Sequence, residues 1–125
     1  MKKILVVDDE PDVLKVLAKE LTVAGYHVTT AVNAREALQK VKDILPDLIL
    51  MDLILPDIGG AEAVKVLKGY PQLRLTPVIF LTAMIKPEEE IGSPLKINID
   101  DCWYETIAKP YDRNDLLLKV QNILK

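Results

Sequence analysis

The chain has 125 residues, of which 50% are hydrophobic and 28% are charged, a composition that excludes disordered and low-complexity proteins. This length suits one domain with its own core, so we expect residues 1–125 to form a single domain. Nineteen acidic and 16 basic residues give a net charge of −3, which argues against direct binding to nucleic acid or to a membrane surface. The single cysteine cannot form an internal disulfide, and the apolar run at the start is too short for a signal peptide, so we expect a cytoplasmic protein.

Short apolar runs alternate with helical patterns along the chain. Three runs rich in Val, Ile and Leu are typical of strands buried on both faces: Ile4–Val7, Leu48–Met51 and Val78–Leu81. Weaker strands are predicted near His27–Ala31 and Tyr104–Ala108.

Apolar residues with the spacing of one helix face occur in residues 13–21, 37–45 and 116–124. Asn33 and Asp112 occupy capping positions before the second and third of these patterns. A strand followed by a helix, repeated five times, predicts an α/β fold with a parallel sheet and helices on both faces. The last helix runs to the final residue, so we expect no output domain after it.

The segment between the fourth and fifth predicted strands fits this alternation less well. Pro87 begins a plausible helix, but Pro94 removes a backbone donor and favours extended chain before it. Ile97, Ile99 and Trp103 alternate as in extended chain. We therefore expect the fourth helix to be short or irregular.

Acidic residues follow two of the buried strands, and other polar residues follow the remaining ones. Asp8 and Asp9 come after the first strand, Asp52 ends the third, Thr82 follows the fourth and Lys109 follows the fifth. If the first and third strands are neighbours, the three carboxylates converge and repel one another unless a cation joins them. Oxygen-only ligands favour a divalent ion, and Mg²⁺ fits best because water can complete its shell.

Each of these residues has a simpler interpretation when it is taken alone. Asp9 could cap the first helix, and Asp52 could end its strand in a turn stabilised by its own side chain. Lys109 could be a solvated lysine before a turn.

Taken together, four motifs resemble the receiver domain of bacterial two-component response regulators over essentially the whole chain. The motifs are Val6-Val7-Asp8-Asp9-Glu10-Pro11, Asp52-Leu53-Ile54-Leu55-Pro56-Asp57-Ile58-Gly59-Gly60, Leu81-Thr82-Ala83 and Ala108-Lys109-Pro110. The resemblance implies a doubly wound, five-stranded parallel sheet in the order 2-1-3-4-5.

The same resemblance implies phosphoryl chemistry. Asp52 would be the phosphoacceptor, Thr82 would bind a phosphoryl oxygen and Lys109 would balance another. Mg²⁺ would be held by the family's ligand positions, which here are Asp8, Asp9, Asp52 and the backbone carbonyl of Ile54. The phosphodonor would be a phosphohistidine on a sensor histidine kinase or a histidine phosphotransfer domain, and no separate substrate would be turned over.

The chain departs from the family at the residues that usually carry the output switch. An aromatic residue usually lies three positions before the lysine, where this sequence has Thr106, while Tyr104 lies five positions before it. The alternative function, suggested by the irregular fourth helix, is a receiver-fold interaction module that signals without phosphorylation.

Two other classes of protein fit the sequence less well. A flavodoxin-like FMN carrier needs a first loop that binds phosphate, which Asp8, Asp9 and Glu10 would repel. A phosphatase of the haloacid dehalogenase type would place its nucleophile in the first strand, with a second Asp two residues later, whereas Asp8 and Asp9 are adjacent here.

Overall fold

The computed structural model describes residues 1–82, 96–109 and 111–124. Its strands are β1 (Lys3–Val7), β2 (His27–Ala31), β3 (Leu48–Asp52), β4 (Val78–Thr82), β5 (Lys96–Ile99) and β6 (Cys102–Ala108). Its helices are α1 (Pro11–Val23), α2 (Ala34–Ile44), α3 (Gly60–Lys68) and α4 (Arg113–Ile123), and a 3₁₀ turn spans Pro71–Leu73.

The strands form one sheet in the order β2-β1-β3-β4-β6-β5. Five of these strands pair in parallel: β2, β1, β3, β4 and β6. This confirms the predicted doubly wound arrangement, in which β6 is the predicted fifth strand. The prediction did not include β5, a sixth strand among the described residues, which pairs antiparallel with β6 at the sheet edge.

The additional strand exists because a tight turn reverses the chain before β6. Asp100 and Asp101 occupy this turn with φ of 51° and 66°, a left-handed conformation that Asp tolerates better than most residues. The Asp101 N–H donates to the Asn98 side chain at 3.2 Å. Ile97 and Ile99 pack against the core, which explains their alternation in the sequence. The predicted fourth helix falls on residues 83–95, which lie outside the described residues.

Helices cover both faces of the sheet, as predicted. Along β1, Leu5 and Val7 pack on the side of α2 and α3, while Ile4 and Val6 pack on the side of α1 and α4. This alternation places an apolar layer on each face, because successive strand residues point to opposite sides.

Side-chain caps begin two helices shortly after a strand ends. The Asn33 side chain accepts a hydrogen bond from the Glu36 N–H at 2.7 Å and begins α2, as predicted. Asp112 likewise begins α4, accepting from the N–H groups of Asn114 and Asp115. None of the helices in the described ranges is long and apolar enough to span a bilayer.

Candidate functional site

The carboxyl ends of four parallel strands meet at one edge of the sheet. Asp8 follows β1, Asp52 is the last residue of β3, Thr82 is the last residue of β4 and Lys109 follows β6. The pairing register places Asp52 opposite Leu81 and Thr82 opposite Ala108. The polar residues predicted from the strand ends therefore lie around a common site.

The ammonium group of Lys109 lies at the centre of this site. Its Nζ is 2.5 Å from Asp8 Oδ2, 3.0 Å from Asp52 Oδ2 and 3.4 Å from Glu10 Oε1. The Asp8 side chain is fully buried, and only 10% of the Asp52 side chain and 12% of the Lys109 side chain are exposed. Such close, buried ion pairs are screened little by solvent, so Lys109 holds the two aspartates together.

Backbone donors fix the second oxygen of each aspartate. Asp8 Oδ1 accepts from the Glu10 N–H at 2.9 Å, and Asp52 Oδ1 accepts from the Ile54 N–H at 3.2 Å. The turn suggested for Asp52 as a simpler interpretation is therefore present, yet its other oxygen faces Lys109. The capping role suggested for Asp9 is not observed, since Glu10 occupies the N-cap of α1 without a side-chain hydrogen bond.

Burial and charge move the pKa values of two groups in the site. Burial raises the pKa of Asp52 above its ordinary value of 3.8, and Asp8 adds to the rise, although Lys109 and the Ile54 N–H oppose it. Burial alone would lower the pKa of Lys109, but Asp8 and Asp52 outweigh burial and raise it. Lys109 is therefore charged at neutral pH, while the ionised form of Asp52 is partly uncompensated.

Four acidic side chains offer oxygens to a cation at this site. One carboxylate oxygen from each of four residues lies within 4.8 Å of the others: Asp8, Asp9, Glu10 and Asp52. Asp9 and Glu10 are exposed and open the cluster to solvent. A hard divalent ion fits this donor set, because all the ligands are oxygens and water can reach the open side.

The remaining predicted site residues border the cluster. Thr82 is buried, with 2% of its surface exposed, and its carbonyl accepts from the Lys109 N–H at 2.9 Å. Ile54 is 61% exposed as a residue, and its N–H donates to the Asp52 side chain.

Two residues that contribute to the site were not predicted from the sequence. Glu10 forms an ion pair with Lys109. The only sequence signal for this contact was the position of Glu10 beside two aspartates. Gly60 packs against the backbone of the Asp52 segment, and a Cβ at Gly60 would overlap the Asp52 carbonyl oxygen. The pair of glycines at the end of the second motif was the available signal for this close approach.

The residues near the usual aromatic position lie on β6. Thr106 is buried, with 3% of its surface exposed, and its carbonyl accepts from Lys119 Nζ at 2.9 Å. The Tyr104 ring lies edge-on to Phe80, with ring centres 5.6 Å apart. Tyr104 therefore packs two residues further from Lys109 than the position at which the family pattern places its aromatic residue.

Comparison with known families agrees with this geometry. The sequence pattern of the response regulator receiver domain matches residues 4–121. The chain belongs to this family. Receiver domains are signalling modules, and the CheY-like α/β fold described above is the fold of its structural neighbours.

Solved receivers resemble the chain over nearly its full length. The chemotaxis protein CheY4 of Vibrio cholerae is 30% identical, with a TM-score of 0.82 over 98% of each chain. The response regulator TrrA of Thermotoga maritima, solved in complex with Mg²⁺-BeF, is 31% identical, with a TM-score of 0.77 over 98% of this chain and 99% of that one.

Longer proteins also contain a matching segment. The alkaline phosphatase synthesis transcriptional regulatory protein PhoP of Bacillus subtilis is 37% identical over 99% of this chain and 49% of its own length. The regulatory protein AtoC of Escherichia coli is 33% identical over 100% of this chain and 26% of its own length. The chain thus spans about half or less of these relatives.

Proposed function

We propose that residues 1–125 form one receiver domain that accepts a phosphoryl group on Asp52 in a Mg²⁺-dependent phosphorelay. The observation that carries the proposal is the contact of Lys109 with both Asp8 and Asp52 inside a cluster of four carboxylates. A nucleophilic carboxylate, a fixed ammonium and oxygen ligands for a cation are the groups that aspartyl phosphorylation requires.

The chain's own residues supply the nucleophile and its positioning. An Asp52 carboxylate oxygen forms a bond to phosphorus while the bond from phosphorus to the donor's histidine nitrogen breaks, and the imidazole leaves. Hydrogen bonding from the Ile54 N–H orients Asp52 before the reaction. Lys109 is close enough to balance charge on the phosphoryl oxygens, and Thr82 borders the position where one of them would lie.

The acidic residues would hold the metal. We assign Mg²⁺ to Asp8, Asp9, Asp52 and the Ile54 carbonyl, a set of oxygen ligands suited to this ion. When bound, Mg²⁺ supplies positive charge that neutralises the transferred phosphoryl group. The raised pKa of Asp52 is consistent with this assignment, because burial and the nearby Asp8 disfavour its ionised form and a bound cation would favour it.

The partner of this site would be a phosphohistidine on a sensor histidine kinase or a histidine phosphotransfer domain. We place the protein in the cytoplasm, where such donors act, and expect it to promote its own phosphorylation without turning over a separate substrate. The net charge of −3 supports signalling to a protein target rather than direct contact with nucleic acid.

Intact mass after incubation with Mg²⁺ and a small phosphodonor tests the proposal directly. We expect one added phosphoryl group on the wild-type protein and none on Asp52→Asn. No mass gain on the wild type would contradict phosphorylation and would favour the interaction module that signals without it.

The metal assignment has its own test in thermal unfolding. Mg²⁺ at a hundredfold above its Kd should stabilise the folded protein by about 2.7 kcal/mol, since it binds only that state. Asp9→Ala should remove this gain, whereas Asp12→Ala, at an exposed acid in the first turn of α1, should keep it. Equal gains in both variants would exclude Asp9 from the metal site.

A further inference from the structure

One carboxylate in the loop after Asp52 binds the start of a different helix. Asp57 Oδ1 accepts from the Ala34 N–H at 3.1 Å, and Asp57 Oδ2 accepts from the Arg35 N–H at 2.8 Å. These N–H groups belong to the first turn of α2 and have no partner within the helix. Asp57 therefore joins the loop between β3 and α3 to the start of α2.

The two ends of this loop are fixed in other ways. At its start, the Leu53 N–H donates to the Leu81 carbonyl at 3.0 Å. At its end, the Gly60 N–H donates to the Leu53 carbonyl at 2.9 Å. In the loop's centre, residues 56–58 are exposed, and among the described residues only the Asp57 carboxylate hydrogen-bonds this centre to another element.

The charge on Asp57 suits this contact. Burial would raise the pKa of Asp57, but hydrogen bonds from backbone N–H groups, with Arg35 first among them, hold it below its ordinary value. The carboxylate is thus ionised at neutral pH, and the positive end of the helix dipole strengthens both bonds.

We propose that Asp57 is a positioning residue for the metal site, because it holds the loop that carries the Ile54 carbonyl in place against α2. The inference rests on the proposed function, in which that carbonyl is a Mg²⁺ ligand. Mg²⁺ demands near-ideal ligand geometry, so a loop released at its centre binds the ion less well.

The competing explanation is that Asp57 only caps α2, and the chain offers a matched control for it. Asn33 caps the same helix by accepting from the Glu36 N–H, but it lies on the β2–α2 connection and not on the loop that follows Asp52. Loss of either cap destabilises α2. Only loss of Asp57 also frees the loop.

Calorimetric titration with Mg²⁺ distinguishes the two explanations. We expect Asp57→Ala to weaken Mg²⁺ binding about tenfold, the lower end of the range for residues that orient a metal ligand. Asn33→Ala should keep the wild-type affinity. Asp57→Asn, which keeps an acceptor oxygen but loses the charge, should recover part of the affinity, whereas a loss equal to that of Asp57→Ala would indicate a charge effect and overturn the inference.

Amide hydrogen exchange gives a second measurement that helix capping alone would not change. Since linkage is reciprocal, Mg²⁺ should slow exchange at the Ala34 and Arg35 amides in the wild type and leave it unchanged in Asp57→Ala. If wild type, Asp57→Ala and Asn33→Ala bind Mg²⁺ equally, the positioning role is refuted while the proposed function stands. If the wild type does not bind Mg²⁺, the proposed metal site itself is wrong.

Discussion

Replacing Lys109 by Met tests the central ion pairs of the site. The substitution keeps most of the side chain's volume and removes the ammonium that lies 2.5 Å from Asp8 and 3.0 Å from Asp52. Removing one partner of a buried ion pair costs about 3–5 kcal/mol, because the remaining charge stays buried without compensation. We expect a loss near the lower value, about 3 kcal/mol, since Asp52 can take up a proton.

The loss is large enough for thermal unfolding to measure. For a chain of this size, about 3 kcal/mol corresponds to a fall of about 12 °C in Tm when each kcal/mol shifts Tm by about 4 °C. The experiment is done in chelator at neutral pH and repeated with saturating Mg²⁺. Lys109→Met should gain more stability from the ion than the wild type does, because no ammonium competes for the carboxylates.

Lys119→Met is the matched control for this substitution. Lys119 is a half-buried lysine near the same strand, but its Nζ donates to the neutral Thr106 carbonyl at 2.9 Å. Its loss should cost about 1.5 kcal/mol, the lower value for a hydrogen bond with a charged donor, and leave the response to Mg²⁺ unchanged. If Lys109→Met is no less stable than Lys119→Met and gains no more from Mg²⁺, then Lys109 does not compensate the charge of the aspartates.

Two further substitutions address Asp52 and Gly60. Because the folded-state pKa of Asp52 lies above its ordinary 3.8, the stability penalty of its ionised form appears as pH rises through that folded-state pKa. Without Mg²⁺, Asp52→Asn should therefore be more stable than the wild type at neutral pH. Near about pH 4 the two proteins should be equally stable, and thermal melts at both pH values would show this. Gly60→Ala should cost at least about 2 kcal/mol, because its Cβ would meet the Asp52 backbone. Gly59→Ala, whose Cβ would meet only the Leu53 carbonyl oxygen at 3.8 Å, should cost less than about 1 kcal/mol in the same denaturant titration.

The parallel sheet could be predicted from the sequence because its signals are local. Runs such as Leu48–Met51 are apolar on both faces, and residues such as Asn33 mark where helices begin. The structure starts β1 at Lys3 rather than at Ile4, and starts β6 at Cys102 rather than near Tyr104. These differences lie at strand ends, where the pairing partner rather than the local sequence decides the boundary.

Contacts between distant parts of the chain could not be predicted in the same way. The turn at Asp100 and Asp101 has no glycine to mark its left-handed conformation, so the antiparallel strand β5 was predicted only as extended chain. The hydrogen bonds between Asp57 and the start of α2 join residues that are 22 and 23 positions apart in the sequence, and no local sequence pattern predicts them. The requirement for glycine at position 60 becomes clear only from the structure, in which the Asp52 carbonyl leaves no room for a Cβ.

The position of Lys109 constrains how the site would respond to the proposed phosphorylation. Its backbone N–H is bound to the Thr82 carbonyl at 2.9 Å, so the main chain after β6 is fixed to the end of β4. The side chain extends from this fixed main chain, and its ammonium contacts Asp8 and Asp52. A phosphoryl group on Asp52 would remove the carboxylate charge that Lys109 contacts at Asp52 Oδ2, and it would bring new anionic oxygens. The Lys109 ammonium would therefore change partners within the site. In the proposed function, the first response is therefore a redistribution of the Lys109 contacts between Asp8 and the phosphoryl oxygens, at the end of the strand that carries Thr106 and Tyr104.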